Sequence, residues 1–113
     1  MCSSDLDTIS HLNLYCLISP ASFSCGNLVP ALLKESNNVT LIGNTSGGGA
    51  CSVMHSTTAD GTCFQISSPN RLAVVTNGSY YTIDRGIDPH IYLTKLASYF
   101  DREALTTFIN ELK

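Results

Sequence analysis

Two apolar patterns follow each other in the first third of the chain. The nearly continuous apolar run at residues 12–18 is typical of a strand covered on both faces, and the Ser-Pro pair that follows ends it. At residues 23–35 the apolar positions cover most of a helical circumference, which predicts a largely buried helix. Because a proline removes a hydrogen bond from a helix interior, Pro30 conflicts with this pattern. We expect the regular helix to begin near Asn27, rather than to start earlier and bend at Pro30.

Strand patterns fill the middle of the chain. Residues 39–43 predict a second strand, and the strand–helix–strand order predicts a parallel pair with a right-handed crossover. Three glycines at residues 47–49 then allow unusual dihedrals or a close approach to a ligand. Further strands are predicted at residues 51–55, 62–67, 71–76 and 79–83, with Asn77-Gly78 as a hairpin turn. Asp101 is expected to cap a final amphipathic helix over residues 102–112.

The composition is that of a folded domain with few surface charges. Of the 113 residues, 43% are hydrophobic and only 13% are charged, which suggests that some apolar surface is covered by another segment or subunit. The net charge is −3 and the few cations are scattered, so the chain has no basic stripe that would bind nucleic acid. No apolar run approaches the length of a membrane span. No repeat or linker interrupts residues 11–113, which we interpret as one continuous domain.

The five cysteines do not form a recognisable framework. They are odd in number, widely spaced and free of any C-x-x-C pair, so the sequence implies neither a disulfide scaffold nor a zinc site. We therefore expect no metal and no other cofactor. Cys16 and Cys63 are expected to be buried free thiols.

The first residues do not match the rest of the chain. MCSSDL has no basic region, apolar stretch or cleavage site, so it is not a targeting segment. It resembles the translation of a sequencing-adaptor end. We interpret residues 1–10 as an artefact or a disordered lead, and the chain as a truncated reading frame whose upstream sequence is missing. The compartment stays open.

A serine stands at the junction between the first strand and the helix. Free N–H groups and the positive dipole end at a helix N-terminus favour negative charge. The Cys25 N–H could thus stabilise the oxyanion that forms when Ser24 attacks a carbonyl. The alternative is that Ser24 is only a helix N-cap, a common role for serine. The local pattern leaves both interpretations open.

Residues 14–52, LYCLISPASFSCGNLVPALLKESNNVTLIGNTSGGGACS, resemble the catalytic core of the tail-specific, or C-terminal-processing, serine peptidases. Residues 81–91, YTIDRGIDPHI, resemble the segment that closes the family's domain. The resemblance implies Ser24 as the nucleophile, the Cys25 amide in the oxyanion hole, and Gly47 and Gly48 as substrate-binding residues. It also implies an α/β fold, a crotonase-like mixed sheet with flanking helices, of which residues 11–113 are the C-terminal portion.

The chain departs from this family in its general base. The bacterial processing branch takes a lysine from the glycine loop, and residues 47–49 contain none, which excludes that base. A second branch, similar to the tricorn core protease, uses an upstream histidine and a downstream carboxylate. Asp84 matches the carboxylate by position, and the histidine would lie in sequence that precedes this chain.

The three histidines offer few alternatives. His55 follows the glycine loop and could approach Ser24 as the base. His90 takes the place of the family's usual aspartate after a proline and is interpreted as a surface substitution. His11 precedes the first strand.

Two other groups could carry chemistry. Cys25 could be a thiol nucleophile, but its side chain is expected to point into the core. Asp84 and Asp88 resemble an acid pair, although shaping the turn before Pro89 is the simpler role.

The resemblance implies a serine peptidase that acts on polypeptides at or near their C-termini. Its partners would be the polypeptide substrate and the missing upstream half of its own catalytic domain, and the chain is expected to be inactive alone. One alternative is a non-catalytic, ligand-binding relative of the peptidase fold. Another is a degraded gene remnant.

Overall fold

The computed structural model describes residues 11–76, 78–94 and 99–112, so the predicted artefact or lead at residues 1–10 lies outside it. In the described residues the chain forms seven strands, two α-helices and one short 3₁₀ turn. In chain order they are β1 (Leu14–Ile18), α1 (Cys25–Leu33), β2 (Val39–Gly43), β3 (Cys51–Thr57), β4 (Cys63–Arg71), β5 (Ala73–Thr76), β6 (Ser79–Thr82), the 3₁₀ turn (Ile83–Arg85), β7 (Ile91–Tyr92) and α2 (Arg102–Glu111).

A parallel sheet in the order β1-β2-β7 forms the centre of the fold. Strand β1 pairs with β2 from Leu14↔Val39 to Ile18↔Gly43, which confirms the predicted parallel pair. Leu41 and Ile42 of the central strand are fully buried. The hydrophobic core lies between this sheet, α1 and the turn after β6. Its buried residues are Ile18, Ala31, Val39, Leu41, Ala50, Ile83 and Ile87.

Helix α1 begins earlier than predicted and passes through its proline. Its first residue is Cys25 and Pro30 lies in its interior, so a start near Asn27 is wrong. Pro30 is buried, and the carbonyl four residues before it belongs to Gly26, which is exposed. Pro30 has no N–H to donate to the Gly26 carbonyl, and water can donate to it instead. The proline ring packs towards the core.

Helix α1 is also less buried than its apolar pattern predicted. Ala31 faces the core, but Val29 is 53% exposed and Leu32 is 63% exposed. Only one face of the helix contacts the sheet, and the described residues place nothing over the opposite face.

Two antiparallel hairpins connect the glycine loop to the 3₁₀ turn. Strands β3 and β4 pair with Met54 opposite Ile66 and Ser56 opposite Phe64. Met54, Phe64 and Ile66 therefore share one face, which we call the hairpin face, and each is 40–45% exposed. Strands β5 and β6 pair from Ala73↔Thr82 to Thr76↔Ser79, as predicted, although Asn77 of the predicted turn lies outside the described residues.

The C-terminal helix has the predicted cap. The Asp101 carboxylate accepts hydrogen bonds from the N–H groups of Glu103 (3.1 Å) and Ala104 (3.0 Å). Within the described ranges, neither helix is long and apolar enough to cross a lipid bilayer.

The cysteines differ from their predicted burial. Cys16 in β1 is half-buried, and this burial raises the pKa of its thiol. Cys63 is exposed, so the prediction of a buried thiol there is wrong. It is the first residue of β4 at the end of an uncovered hairpin, where no neighbouring layer encloses it.

Candidate active site

Ser24 lies on a sharp turn from the parallel sheet into helix α1. Its backbone has φ 56° and ψ −117°, and it is the one residue other than glycine with a positive φ in the described part of the chain. Such a conformation costs about 1–3 kcal/mol and persists only where its surroundings impose it. Here the Ser24 N–H donates to the carbonyl of Gly48 at 2.9 Å, and Phe23 forms an isolated parallel bridge with Gly48.

The Ser24 hydroxyl is exposed and does not cap the helix. Its side chain makes no capping hydrogen bond, and its positive φ differs from the extended backbone of a usual N-cap. The main-chain carbonyl of Ser24 instead accepts from the N–H groups of Asn27 (2.9 Å) and Leu28 (3.0 Å). Ser24 therefore occupies the N-cap position without the side-chain hydrogen bond that a capping serine makes.

Cys25 supplies the first backbone N–H of the helix. Within the described residues this N–H has no hydrogen-bond acceptor, whereas the next one, from Gly26, donates to Phe23 at 3.0 Å. A free N–H beside a serine hydroxyl is the geometry that an oxyanion requires. The Cys25 side chain is exposed, so its predicted inward orientation is wrong.

A cleft of about 260 Å³ opens in front of these groups, and we call it the Ser24 cleft. Its walls combine the serine turn, one side of α1, the glycine loop and the start of β3. Apart from two thiols, no ionisable group lines it within the described chain. The lining residues are Ser24, Cys25, Leu28, Gly49, Cys51, Ser52, Val53 and Leu72.

Gly47 and Gly48 pack against the turns on either side of the loop. The Gly47 N–H donates to Ser22 O at 2.9 Å, and a Cβ on Gly47 would lie 2.3 Å from Pro20 O. A Cβ on Gly48, where φ is +79°, would lie 2.1 Å from Asp84 O. Their neighbour Gly49 is the glycine that lines the Ser24 cleft.

Asp84 lies on the other side of the glycine loop from Ser24. Its carboxylate Oδ1 accepts from the Ala50 N–H at 3.1 Å, and its main-chain carbonyl accepts from the Gly49 N–H at 3.4 Å. Its second carboxylate oxygen is 3.9 Å from the exposed Arg71 guanidinium, a distance at which an ion pair contributes little. Ser24 and Asp84 thus both hydrogen-bond to the glycine loop and its end, Ser24 to Gly48 and Asp84 to Gly49 and Ala50, with no hydrogen bond between the two.

A buried polar network holds α1 to both loops. Asn27 is fully buried, and its amide donates to Ile83 O at 2.8 Å while its carbonyl accepts from Ser46 Oγ at 2.5 Å. Ser46 Oγ also accepts from the Ile87 N–H at 2.6 Å. Sequence analysis missed this network, although a polar residue three positions after Ser24 in an otherwise apolar helix was its signal.

Asp88 is not paired with Asp84. Its carboxylate accepts from the hydroxyls of Thr45 at 2.7 Å and Tyr92 at 3.0 Å. The hydrogen bond from Thr45 has the largest effect on the pKa of Asp88, which it lowers. The hydrogen bond from Tyr92 and the charge of Lys34 lower this pKa further. Asp88 therefore ties the loop after β2 to β7, in agreement with the structural role rather than an acid pair.

None of the three histidines, all of which are described, lines the Ser24 cleft. The His55 ring in β3 is 2.7 Å from the Gln65 amide across the hairpin. His90 is exposed, but more than a surface substitution, because its Nδ1 accepts from the Leu41 N–H at 2.9 Å and so pairs with the central strand. In the described residues, no group of three or more acidic, histidine and cysteine side chains could hold a metal ion.

The family assignment follows from a match over most of the chain. The model of peptidase family S41 matches residues 3–93. The chain belongs to peptidase family S41. A Chlamydia pneumoniae protein, CPj1016/CpB1054, is 32% identical in an alignment that covers 88% of this chain and 16% of that protein. The chain thus spans about a sixth of the length of this relative.

Solved structures show a similar fold. Mature CPAF superposes with a TM-score of 0.59 at 23% identity, covering 87% of this chain and 19% of that one. The complex of mature CPAF with lactacystin gives a TM-score of 0.58 at 20% identity, with the same coverage of 87% and 19%. The mixed sheets and few helices of this S41 chain therefore correspond to a small part of a larger peptidase fold.

Proposed function

We propose that this chain carries the serine side of a serine-peptidase active site that cleaves polypeptides. The observation that carries the proposal is the strained backbone of Ser24, which presents an exposed, unbonded hydroxyl to a cleft beside a free N–H. A structural serine needs no such strain, and a nucleophile on a strand-to-helix turn gains access to the substrate from it. Membership of family S41 supports the same chemistry.

Each of these residues has a separate role in acyl transfer. Ser24 Oγ attacks the peptide carbonyl, and the carbonyl carbon becomes tetrahedral. The Cys25 N–H donates to the oxygen that gains negative charge. Asp84 orients and stabilises a histidine that takes the Ser24 proton, in the manner of the tricorn-like branch. That histidine comes from outside the described residues, because His11, His55 and His90 all lie away from the cleft.

The substrate lies in the Ser24 cleft as an extended strand. In the described residues, β3 pairs with β4 alone, so one edge of β3 offers free backbone groups to a peptide. Residues Cys51, Ser52 and Val53 of this strand line the cleft. Gly47 and Gly48 support the site from behind by their close packing, and Gly49 contributes directly to the peptide-binding wall.

The parent domain in this proposal is a crotonase-like mixed α/β sheet, and residues 11–113 are its C-terminal portion. The exposed apolar residues of α1 and of the hairpin face support a missing neighbour, as does the small share of CPAF that the chain covers. The 113-residue chain by itself is therefore inactive.

A fluorophosphonate probe tests the nucleophile in the longest polypeptide that contains this chain. We expect labelling of Ser24 and hydrolysis of an unfolded protein substrate, and Ser24→Ala should lower hydrolysis by at least about 10³-fold. Ser56→Ala is the matched control because Ser56 is an exposed serine in β3, outside the cleft. Equal labelling in wild type and Ser24→Ala would exclude Ser24. Hydrolysis by the 113-residue chain alone, abolished by Ser24→Ala, would overturn the external histidine.

A non-catalytic peptide-binding role is the second candidate, because no described histidine reaches the cleft. In that case the same polypeptide binds an unfolded protein through β3 but takes up no fluorophosphonate. Binding without labelling therefore selects this role over the peptidase.

A further inference from the structure

A fully buried asparagine connects the serine turn to the turn that carries Asp84. Asn27 is the third residue of α1, and its main-chain N–H donates to the Ser24 carbonyl at 2.9 Å. Its side-chain amide donates to the Ile83 carbonyl at 2.8 Å, and Ile83 directly precedes Asp84 in the 3₁₀ turn. Two hydrogen bonds of one residue therefore join the segments that hold the proposed nucleophile and the proposed acid.

The glycine loop makes a second connection between the same two segments. The Ser24 N–H donates to the Gly48 carbonyl at 2.9 Å. Two residues further along, the Ala50 N–H donates to the Asp84 carboxylate at 3.1 Å. Gly48 and Gly49 both have a positive φ and no Cβ, so this backbone is intrinsically permissive. The loop therefore constrains the Asp84 turn less tightly than the buried connection does.

Ser46 fixes the orientation of the Asn27 amide. Its buried hydroxyl donates to Asn27 Oδ1 at 2.5 Å and accepts from the Ile87 N–H at 2.6 Å. Because Oδ1 is engaged as an acceptor on one side, the amide nitrogen points to Ile83 on the other. Displacement of either turn would leave a buried donor or acceptor unpaired, which is costly. The network therefore favours one arrangement of the two turns.

We propose that Asn27 is a positioning residue of the active site, which holds the Asp84 carboxylate in place relative to Ser24 through its buried hydrogen bonds. In the described chain it is not among the residues that line the Ser24 cleft, so it does not contact a substrate there. It keeps the acid where the external histidine can bond to it and reach Ser24 at the same time. The coupling depends only on contacts within this chain, whereas its catalytic consequence rests on the proposed peptidase function.

The rate of fluorophosphonate labelling tests the catalytic consequence in the longest polypeptide that contains this chain. The rate constant of each variant is divided by its folded fraction, which circular dichroism measures, so that a loss of stability does not count as a loss of reactivity. We expect Asn27→Ala to lower this corrected rate constant about tenfold or more, because a displacement of about 1 Å is enough for such a loss.

Val39→Ala is the matched control for this measurement. It truncates a buried side chain at the start of β2, outside the network, and so lowers stability without moving the Asp84 turn. Its corrected rate constant should stay within about twofold of the wild type. Equal corrected rate constants for Asn27→Ala and Val39→Ala would overturn the positioning role.

A double variant distinguishes positioning through Asp84 from a general effect on the site. Asp84→Asn keeps an acceptor for the Ala50 N–H but removes the charge, and we expect it to lower the corrected rate constant about 10²-fold or more. In this background Asn27→Ala should lower it by less than about twofold further, because the group that it positions is gone. Effects that multiply would show that Asn27 does not act through Asp84.

Hydrogen exchange tests the coupling without any activity. In the 113-residue chain, the Ala50 amide reports on the Asp84 carboxylate that accepts from it. We expect Asn27→Ala to speed exchange of this amide about tenfold relative to the amides of β1 and β2, and Val39→Ala to produce no such increase. An unchanged ratio in Asn27→Ala would overturn the coupling.

The two measurements separate the role of Asn27 from the peptidase function. If the wild type takes up no fluorophosphonate while Asn27→Ala speeds Ala50 exchange, the peptidase function fails and the coupling stands. If the wild type is labelled and Asn27→Ala changes neither the corrected rate constant nor the exchange ratio, the positioning role fails and the peptidase function stands.

Discussion

The serine turn and the start of the β3–β4 hairpin line the same cleft but differ in how completely their surroundings are packed. Around the turn, the parallel sheet buries Leu41 and Ile42 fully, and the Asn27 network satisfies its buried polar groups. Along the hairpin, Met54, Phe64 and Ile66 stay 40–45% exposed on one face. The proposed nucleophile is therefore positioned by contacts within this chain, whereas the strand proposed to bind substrate lacks a covering layer in the described residues.

This difference shows which part of the proposed active site is held in place by the described residues alone. The backbone of Ser24, the Cys25 N–H and Asp84 are fixed by contacts among residues 20–87. The proposed histidine base and a layer that would cover the hairpin face are not found among the described residues. Variants that alter the packing of one region and not the other test this difference.

The largest contrast is expected between Leu41→Ala and Ile66→Ala in the 113-residue chain. Leu41 is fully buried in the central strand, so its truncation should lower the free energy of unfolding by about 4 kcal/mol. Ile66 is 45% exposed, so the same type of truncation should cost less than about 1 kcal/mol. Urea denaturation measures both. Equal costs would mean that the hairpin face is covered, and the comparison would fail.

Asn27→Ala is expected to cost about 3 kcal/mol, because it leaves Ile83 O and the Ser46 hydroxyl without their buried partner. Asn110→Ala is the control, since Asn110 is exposed in α2 and its truncation should change stability by less than about 0.5 kcal/mol. Urea denaturation of both variants gives the difference. A cost for Asn27→Ala as small as that of the control would show that the network does not hold α1.

Gly48→Ala and Gly61→Ala separate close packing from backbone conformation. Both glycines have a positive φ, but a Cβ on Gly61 meets nothing within 4 Å, whereas one on Gly48 meets Asp84 O at 2.1 Å. Gly61→Ala should cost about 1 kcal/mol for its backbone alone, and Gly48→Ala about 2 kcal/mol or more. Thermal denaturation measures both variants. Similar losses would indicate that the glycine loop can move away from Asp84.

The smallest effect concerns the acid limb of stability. The hydroxyls of Thr45 and Tyr92 lower the pKa of Asp88 in the folded chain, so the carboxylate stabilises the fold above its unfolded pKa of about 3.9. This contribution is lost as the pH falls through the lower folded pKa. Asp88→Asn should flatten the stability profile below about pH 4, whereas Glu111→Gln, at an exposed site in α2, should not. Parallel profiles for wild type and Asp88→Asn would contradict this role.

The sequence predicted the features that local patterns determine. Strand β2 and the Asp101 cap depend on residues a few positions apart, and the parallel pairing of β1 with β2 follows from the strand–helix–strand order. The structure confirms all three. The resemblance to serine peptidases identified the family in the same way, from the order of short segments.

Contacts between particular side chains that lie far apart in the chain could not be predicted. Asn27 finds its partners in Ser46, 19 positions away, and in Ile83, 56 positions away. The predicted helix start near Asn27 was wrong because Pro30 was weighed by local propensity, without the exposed Gly26 carbonyl or the burial of its ring. The inward orientation predicted for Cys25 was wrong because helical periodicity carries no information about the turn that precedes the helix.

The backbone at position 24 has a positive φ, so the residue that is best for stability there differs from the residue that the proposed chemistry needs. Glycine adopts such dihedrals without a Cβ penalty, so selection for thermal stability alone should replace the serine with glycine. The replacement would make the scaffold more robust and remove its hydroxyl in one step. Engineering for heat tolerance therefore has to fix this position in advance, or it will produce stable proteins that lack the proposed nucleophile.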